Sequence, residues 1–371
     1  MYQVSMIISL ILLVYAFIKK DSKKTFWLLM IWMFILFAFN YMNADYAMYQ
    51  RQYIKYGTSD QFYSSEFLWQ LLCKIFYGLH VPYSVFICLY SIFPIVAVGI
   101  LVNSLSKHKA IALSCFFVFP FLIEVVQIRD FMAIMIISLG LRGLYLNKKN
   151  STFKYMLCCL IAGGFHYISL FYLLLIFVKK MDLRRLAFFI LPISIFLILL
   201  SEMGLVTKII EFIIPTEKFN AYFLSGEWQV SHAIAFLSIA LQFIIIISLF
   251  ITYMKHKKRN NQESLENIDL LSFMLKCNLL LLIAVPLYFY TFEFTRIFRG
   301  LLLLDYIAIT NTLDKNLTYD NLSIRTLTIM LVATLFFVLV IYVNIYHKTV
   351  VSIFTYNHLL EWISTFLGNG G

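Results

Sequence analysis

The sequence predicts an all-α, polytopic integral membrane protein with about 12 transmembrane segments and both termini on the extracytoplasmic side. Of its 371 residues, 62% are hydrophobic and only 13% are charged, and the mean hydropathy is +0.85. Apolar runs of about 17 to 23 residues recur along the chain, and each is long enough to cross a bilayer as a helix. This composition excludes a soluble globular enzyme.

The predicted spans follow one another with short connections. They cover residues 3–18, 25–42, 82–103, 110–124, 130–146, 155–165, 167–178, 186–201, 233–254, 270–290, 297–313 and 326–346. About twice as many Lys and Arg residues flank one set of connections as the other, and the positive-inside rule makes the richer set cytoplasmic. The same bias explains the net charge of +11, which is therefore no sign of nucleic-acid binding.

One apolar run, residues 155–178, has the length of a single span. We divide it at Gly163–Gly164–Phe165–His166 into a short broken hairpin, residues 155–165 and 167–178. A single span would invert the topology downstream and leave the positive charges evenly distributed between the two faces. Interrupted helices of this kind line cavities in membrane proteins.

The chain is predicted to form a single transmembrane domain over residues 1–371. Its large outer connections are residues 43–81, 202–232 and 347–371, and in the first two apolar and polar residues are mixed as in amphipathic helices that lie in the membrane interface. The charged segment 255–269 is predicted to be a flexible cytoplasmic linker.

The first candidate site segment is NADYAMYQRQY, in which Asp45, Tyr49 and Tyr53 recur at every fourth residue. A helix would place the three side chains on one face. The two phenols could hold sugar hydroxyls, and Asp45 could act as a general base. The alternative is an aromatic belt at the membrane surface with an Asp that caps a helix.

Two further segments place ionisable groups at the ends of apolar runs. Arg129 and Asp130 follow Gln127, and the guanidinium could bind a phosphate through two hydrogen bonds. The alternative for Arg129 is a local pair with a carboxylate such as Glu124. His166 in GGFHYIS could exchange protons near neutral pH, or it could be a structural histidine.

The segment FEFTRIFRG places Glu293, Arg296 and Arg299 at three-residue intervals, which predicts one polar stripe running into the eleventh span. Two arginines at this spacing suit a diphosphate, whereas a simple interfacial anchor would need one. The sequence has no motif for a metal site and no Gly-rich nucleotide loop, so we predict no metal and no cofactor.

The predicted topology brings these ionisable groups to one membrane face, although they are spread over the whole sequence. Ionisable groups at hydrocarbon depth are costly unless they pair or line a polar cavity. Their convergence favours a shared site for an anionic, lipid-linked substrate.

Short motifs spread over most of the chain carry a resemblance to a known family. They are the D-x-x-x-Y-x-x-x-Y pattern at Asp45, Tyr49 and Tyr53, the Glu66-Phe67 pair, Arg129 at the head of an apolar helix, the Phe165-His166 pair, and Arg296 with Arg299. In these residues the chain resembles the EpsG-type family of Wzy-like bacterial polysaccharide polymerases. The family has Arg-Gln where this chain has Arg129-Asp130, so Asp130 is assigned a supporting role.

The resemblance implies polymerisation of undecaprenyl-diphosphate-linked repeat units during exopolysaccharide, capsule or O-antigen synthesis. Donor and acceptor would both be lipid-linked, in a bacterial cytoplasmic (inner) membrane, with the active site on the outer side. A chain-length regulator and a flippase are the further partners it implies. No ATP or redox cofactor is required, because the lipid diphosphate is already an activated leaving group.

We hypothesise a role for each candidate residue in this reaction. The roles are diphosphate binding for Arg129, Arg296 and Arg299, general base for Asp45 or His166, sugar contact for Tyr49, Tyr53 and Glu66, and support for Asp130 and Glu293.

Other classes of membrane protein remain alternatives. A flippase or exporter of lipid-linked oligosaccharide would also need cations and a lateral groove, but it should carry polar residues through the membrane depth. A ligase that moves finished glycan to another acceptor uses nearly the same chemistry. A multi-span acyltransferase also uses a membrane histidine.

Overall fold

A computed structural model describes residues 2–19, 22–62, 66–205, 208, 211, 219–220, 232–259, 262–313, 321–342 and 351–368. The described chain is mostly helical, and its described residues form no strand beyond one isolated antiparallel bridge between Asn40 and Asn357, which confirms the all-α prediction for these residues. Its α-helices are α1 (Tyr2–Ile18), α2 (Lys23–Ala38), α3 (Tyr46–Thr58), α4 (Phe67–Gly78), α5 (Tyr83–Leu105), α6 (Lys109–Phe116), α7 (Leu122–Val126), α8 (Ile128–Tyr145), α9 (Ser151–Phe165), α10 (Leu183–Glu202), α11 (His232–Arg259), α12 (Gln262–Leu281), α13 (Arg296–Arg299), α14 (Leu302–Thr310), α15 (Asn321–Tyr342), α16 (Ser352–Thr355) and α17 (His358–Gly368).

Shorter helical segments of other types interrupt this series. They are a π-helical turn at Phe117–Phe121 and 3-10 helices at Tyr167–Lys179, Leu282–Phe289 and Phe292–Thr295. Several helices begin at residues suited to that position. Ser22 accepts a hydrogen bond from the Thr25 amide (3.2 Å) at the start of α2, and Asp182 accepts one from the Arg184 amide (3.1 Å) at the start of α10.

The residues group into two compact units. The first contains Met1–Arg142, Leu160–Tyr167 and Val338–Gly371, and the second contains Gly143–Cys159 and Ile168–Phe337. The single domain predicted over residues 1–371 stays a prediction, and each unit is described on its own below.

Six described helices are long and apolar enough to cross a membrane, which is consistent with a polytopic membrane protein. They lie at Tyr83–Leu105, Lys109–Val126, Leu183–Ser201, His232–Lys258, Ile268–Phe289 and Ser323–Val340, and three shorter apolar helices lie at Val4–Ile18, Ser151–Phe165 and Tyr167–Lys179. The total of 12 spans and the side of each terminus stay predictions.

The broken hairpin is present. Helix α9 and the 3-10 helix Tyr167–Lys179 run antiparallel, because the Tyr155 hydroxyl donates to the Tyr172 carbonyl (2.7 Å) and Lys179 Nζ donates to Ser151 Oγ (3.2 Å). The break falls at His166, whereas Gly163 and Gly164 lie within α9.

Three predicted elements differ from the structure in extent or type. The helix expected over 25–42 ends at Ala38. The helix expected over 297–313 is divided into the single turn α13 and helix α14. The linker expected over 255–269 is helical on both sides of residues 260–261, because its Lys, Arg, Glu and Gln residues are good helix formers.

The structure describes the first of the two outer connections predicted to be amphipathic but little of the second. Residues 43–81 contain α3 and α4, and α4 occupies the amphipathic stretch expected there. Most of the connection 202–232 lies outside the described residues.

Candidate active site

The first predicted motif forms the start of α3 in the first unit. Asp45 is half-buried at the residue before the helix, and its backbone N–H donates to Asn43 Oδ1 at 3.0 Å. One turn later Tyr49 is 3% exposed, and its ring packs edge-on against Trp69 with centroids 5.6 Å apart. The position of Asp45 matches the helix start expected in the alternative interpretation, although its side chain makes no capping hydrogen bond.

Tyr53, one helical turn after Tyr49, is also buried. It is 2% exposed, and its hydroxyl donates to the Val81 carbonyl at 2.6 Å. Burial raises the pKa of Tyr53, which favours the neutral phenol that such a bond needs. The hydroxyl thus holds α3 to the segment just before α5, and sugar contact by Tyr53 stays a prediction.

Glu66 is the centre of a buried ionic cluster in the first unit. The residue is 1% exposed and directly precedes α4. Its Oε2 forms an ion pair with Arg129 Nη1, and its Oε1 lies 3.0 Å from His166 Nδ1. The Tyr167 N–H also donates to Oε1, at 3.4 Å. Both carboxylate oxygens therefore bond to protein groups, and direct sugar contact by Glu66 stays a prediction.

Arg129 and Asp130 complete the cluster from the first turn of α8. The Arg129 side chain is 13% exposed, and its guanidinium lies over the Tyr49 ring, 5.3 Å from the centroid. Asp130 is 3% exposed, and its Oδ1 is 4.0 Å from His166 Nε2. His166 thus lies between two carboxylates, one facing each ring nitrogen.

Gly164 allows helices α4 and α9 to pack closely against each other. A Cβ on Gly164 would lie 2.8 Å from Leu68 Cδ1 and 3.1 Å from Phe67 Cε1, so the first turn of α4 packs directly against α9 here. That contact brings Glu66 beside His166, although the two residues are 100 positions apart in the chain.

A small cavity lies beside this cluster. It has a volume of about 10 Å³, enough for roughly one water molecule. Its lining is mixed aromatic, amide and aliphatic: Phe37, Asn40, Asn43, Tyr46, Tyr49, Tyr83, Ile87, Val125 and Ile128. Tyr49 therefore borders this cavity and also contacts the Arg129 guanidinium.

The second predicted arginine group belongs to the second unit. Glu293 lies in the 3-10 helix Phe292–Thr295 and forms an ion pair with Arg296. Arg296 is 8% and Arg299 2% exposed, and the Tyr172 hydroxyl donates to the carbonyl of Ile297 at 2.7 Å. The sequence correctly predicts Glu293 and Arg296 as neighbours, but they lie on a 3-10 helix and a single α-turn, not on one continuous helix.

Sequence reasoning missed one buried acid in the second unit. Asp305 is 0% exposed within α14 and accepts a hydrogen bond from Asn278 Nδ2. The signal was present, since Asp305 interrupts the apolar run LLLLDYIAI.

Within the described part of the chain, no group of three or more His, Cys, Asp or Glu side chains could hold a metal ion. The six cysteines are free thiols. That the reaction needs no metal stays a prediction.

The sequence of the chain can be compared with known protein families. Residues 24–358 match the EpsG family, which is nearly the whole chain. The chain belongs to the EpsG family. This is a family of Wzy-like polysaccharide polymerases, so a general role in polysaccharide polymerisation follows.

No curated protein and no solved structure matches the chain. The EpsG match contains the whole Glu66 cluster and both arginines of α13. It ends at residue 358, so nearly all of α17 lies beyond it.

Proposed function

We propose that this EpsG protein is a glycosyltransferase that polymerises oligosaccharide repeat units carried on undecaprenyl diphosphate, at the outer face of the bacterial cytoplasmic membrane. The observation that carries the proposal is the buried cluster of Glu66, Arg129, Asp130 and His166. It offers a cation for an anionic leaving group beside a group that can accept a proton.

The proposed reaction is a direct displacement at the anomeric carbon of the donor. A hydroxyl of the acceptor sugar attacks that carbon, and the bond to the lipid diphosphate breaks. Negative charge then develops on the leaving diphosphate, where a preorganised guanidinium stabilises the transition state. Arg129 takes this role, and we propose that Arg296 and Arg299 also act on diphosphate.

The proton of the attacking hydroxyl goes to a general base. We propose His166, because a base that is oriented by a carboxylate is the usual arrangement in acid–base catalysis. Asp45 is the second candidate, since it lies one helical turn from Tyr49, which covers Arg129. Tyr49 provides the aromatic surface for the sugar, whereas Asp130 and Glu293 support His166 and Arg296.

A flippase or exporter of lipid-linked oligosaccharide is the second candidate function. One observation favours it: Gln242, Asn278 and Asp305 are polar residues buried inside apolar helices of the second unit. Such residues mark substrate or proton pathways in some transporters.

A reconstituted assay separates the two functions. The purified protein is incorporated into nanodiscs and incubated with the lipid-linked repeat units that accumulate in a strain lacking this gene. A polymerase converts them into a ladder of lipid-linked oligomers on a gel, without ATP and without a second compartment. A flippase gives no ladder, but it moves the same lipids across the bilayer of a proteoliposome. Absence of a ladder from folded protein would refute the proposed polymerase.

A further inference from the structure

We propose that residues 352–361, the C-terminal clasp, hold the start of α3 in place as a sugar-binding surface on which Asp45 and Tyr46 contact the substrate. Asn40 and Asn357 are the positioning residues of this clasp. The inference rests on the proposed function and adds to it a substrate contact and the segment that supports it.

The clasp pairs with the turn of residues 39–45 between α2 and α3. The Tyr41 N–H donates to the Tyr356 carbonyl at 3.2 Å, and the His358 N–H donates to the Phe39 carbonyl at 3.0 Å. The isolated antiparallel bridge lies between these two bonds. Its two residues therefore face each other as a non-hydrogen-bonded pair, for which the Cα atoms are about 4.5 Å apart.

Each residue of the bridge also reaches across to backbone carbonyls of the other segment. Asn40 Nδ2 donates to the Tyr356 carbonyl at 2.9 Å and to the Ser352 carbonyl at 3.2 Å. Asn357 Nδ2 donates to the Ile35 carbonyl in the last turn of α2 at 2.9 Å. Both Asn residues are buried, so losing either amide leaves carbonyls away from water without that donor.

The side chain of Tyr41 adds a second set of contacts to the clasp. Its ring stacks on His358 with centroids 4.2 Å apart, and it meets Tyr356 edge-on at 5.7 Å. Its hydroxyl donates to Glu361 in the first turn of α17. The turn is thus held by α17 as well as by the bridge.

Asn43 connects Asn40 to the start of α3. Its Nδ2 donates to Asn40 Oδ1 at 2.8 Å. Its Oδ1 accepts a hydrogen bond from the Asp45 N–H at 3.0 Å, and its carbonyl accepts one from the Tyr46 N–H at 3.3 Å. The clasp therefore helps to set, through two asparagines, where the backbone of Asp45 and Tyr46 lies.

Asp45 and Tyr46 suit contact with a sugar. Both are half-buried, so part of each residue reaches the surface. A carboxylate accepts hydrogen bonds from sugar hydroxyls, and a phenol combines an apolar ring with a polar tip. The Tyr46 ring packs edge-on against Tyr83 with centroids 5.1 Å apart, which fixes its orientation. The clasp and this surface both belong to connections predicted on the outer side of the membrane.

The decisive test measures kcat and KM in the nanodisc assay, with the lipid extract of the gene-deletion strain as substrate. Asn40→Ala and Asn357→Ala each remove amide donors of the clasp. We expect each to raise KM about 10-fold and to change kcat by less than about 3-fold, because contacts that are equal in the ground and transition states affect KM alone. Tyr46→Ala should raise KM by a similar factor.

Ser9→Ala is the matched control. Ser9 is buried, and its Oγ accepts a hydrogen bond from Trp32 Nε1 of α2 at 2.8 Å. The variant therefore also loses a buried hydrogen bond to α2, but not one that holds the turn. Its unfolding midpoint should fall as in the Asn variants, whereas its KM should stay within about twofold of wild type.

A reversible covalent link tests the clasp within one protein. Asn40→Cys and Asn357→Cys are combined after the six native cysteines are replaced, and the spacing of the pair is compatible with a disulfide. The disulfide restores the pairing but not the bond from residue 40 to Asn43. We therefore expect KM about 3-fold above the cysteine-free protein when oxidised and about 10-fold above it after reduction. If both alanine variants fail to fold, this oxidised protein carries the test.

Amide hydrogen exchange of residues 43–53 provides a readout that does not depend on activity. Exchange there should be at least about 10-fold faster in Asn40→Ala and Asn357→Ala than in wild type, because the start of α3 opens more often. Ser9→Ala should exchange like wild type in this segment.

The outcomes separate this inference from the proposed function. If wild-type protein makes no polymer, the proposed function falls and the sugar-binding surface falls with it, whereas faster exchange would still show that the clasp holds the turn. If wild type polymerises and the folded Asn variants keep wild-type KM, only the clasp is overturned. An equal rise of KM in Ser9→Ala, or an equal KM in the oxidised and reduced cysteine pair, would also overturn it.

Discussion

Asn278 Nδ2 donates a hydrogen bond to Asp305 Oδ1 at 2.8 Å, and the two residues are 1% and 0% exposed. The bond joins α12 to α14, which are both rich in apolar residues. A carboxyl group in such surroundings is costly unless it has a polar partner. Asn278 is that partner, so this pair stabilises the packing of the second unit.

Replacing Asn278 by Ala should lower the stability of the protein by about 1 to 2 kcal/mol, because the buried Asp305 loses its amide donor. The measurement is the unfolding midpoint in detergent, followed by circular dichroism during SDS titration. Asn103→Ala is the control, since Asn103 is exposed and accepts a hydrogen bond from Lys109 Nζ. We expect a change within about 0.5 kcal/mol there. Equal midpoints for the Asn278 variant and wild type would show that the bond contributes nothing.

Arg129, Arg296 and Arg299 should each be needed for polymer formation. Arg129→Ala, Arg296→Ala or Arg299→Ala should lower the rate about 100-fold or more, because each removes a cation that we propose acts on diphosphate. In cells, single repeat units should then accumulate on the lipid carrier, as seen on a glycan gel. Arg51→Ala is the matched control, since Arg51 is exposed on α3. Polymer of normal length in all three variants would remove the diphosphate role.

Variants of His166 and Asp45 should differ in polymerisation if His166 is the general base. His166→Ala should abolish polymer, with the protein still present on a blot, whereas Asp45→Asn should keep at least a tenth of the rate. The reverse result would assign the base to Asp45. Loss of protein from the membrane in His166→Ala would indicate a structural histidine, which is the alternative that the sequence left open.

Gly164→Ala should impair polymerisation without changing any polar group. The added Cβ would meet Leu68 at 2.8 Å and move the first turn of α4, which carries Glu66. A shift of about 1 Å in a supporting element can cost about 100-fold in rate. Gly143→Ala is the control, because a Cβ there meets nothing within 4 Å. Equal rates for both alanine variants would show that the α4–α9 contact does not set the site.

Much of the fold follows from local pattern. Long apolar runs predict helices such as α5 and α11, and the charge bias predicts the reversal at His166 although length alone favours one span. The ends of elements are less predictable. The helix predicted over 297–313 is divided near Gly300, between the single turn α13 and helix α14. The hydrophobic periodicity of this apolar segment does not signal the break.

The sequence predicts individual residues of the candidate site, but it does not predict which of them contact one another. Arg129 and His166 are conspicuous because an ionisable group interrupts an apolar segment. The role of Glu66 is not, since its partners Arg129 and His166 are 63 and 100 positions away, at the start of α8 and just after α9, and only tertiary packing brings them together. The partners of Tyr53 are hidden in the same way, because nothing near Tyr53 in sequence points to the Val81 carbonyl.

The membrane side of the Glu66 cluster is decided by cysteine labelling. Ala44→Cys and Lys149→Cys are introduced separately after the six native cysteines are replaced, and both positions are exposed. Ala44→Cys should react with a membrane-impermeant maleimide in intact cells, because it lies next to Asp45 on the predicted outer face. Lys149→Cys should react only after permeabilisation, since Lys148 and Lys154 belong to the positive cytoplasmic set. A reversed pattern would place α3 on the cytoplasmic side. A donor displayed on the outer leaflet could then not reach Arg129, and the proposed polymerisation outside the cell membrane would be wrong.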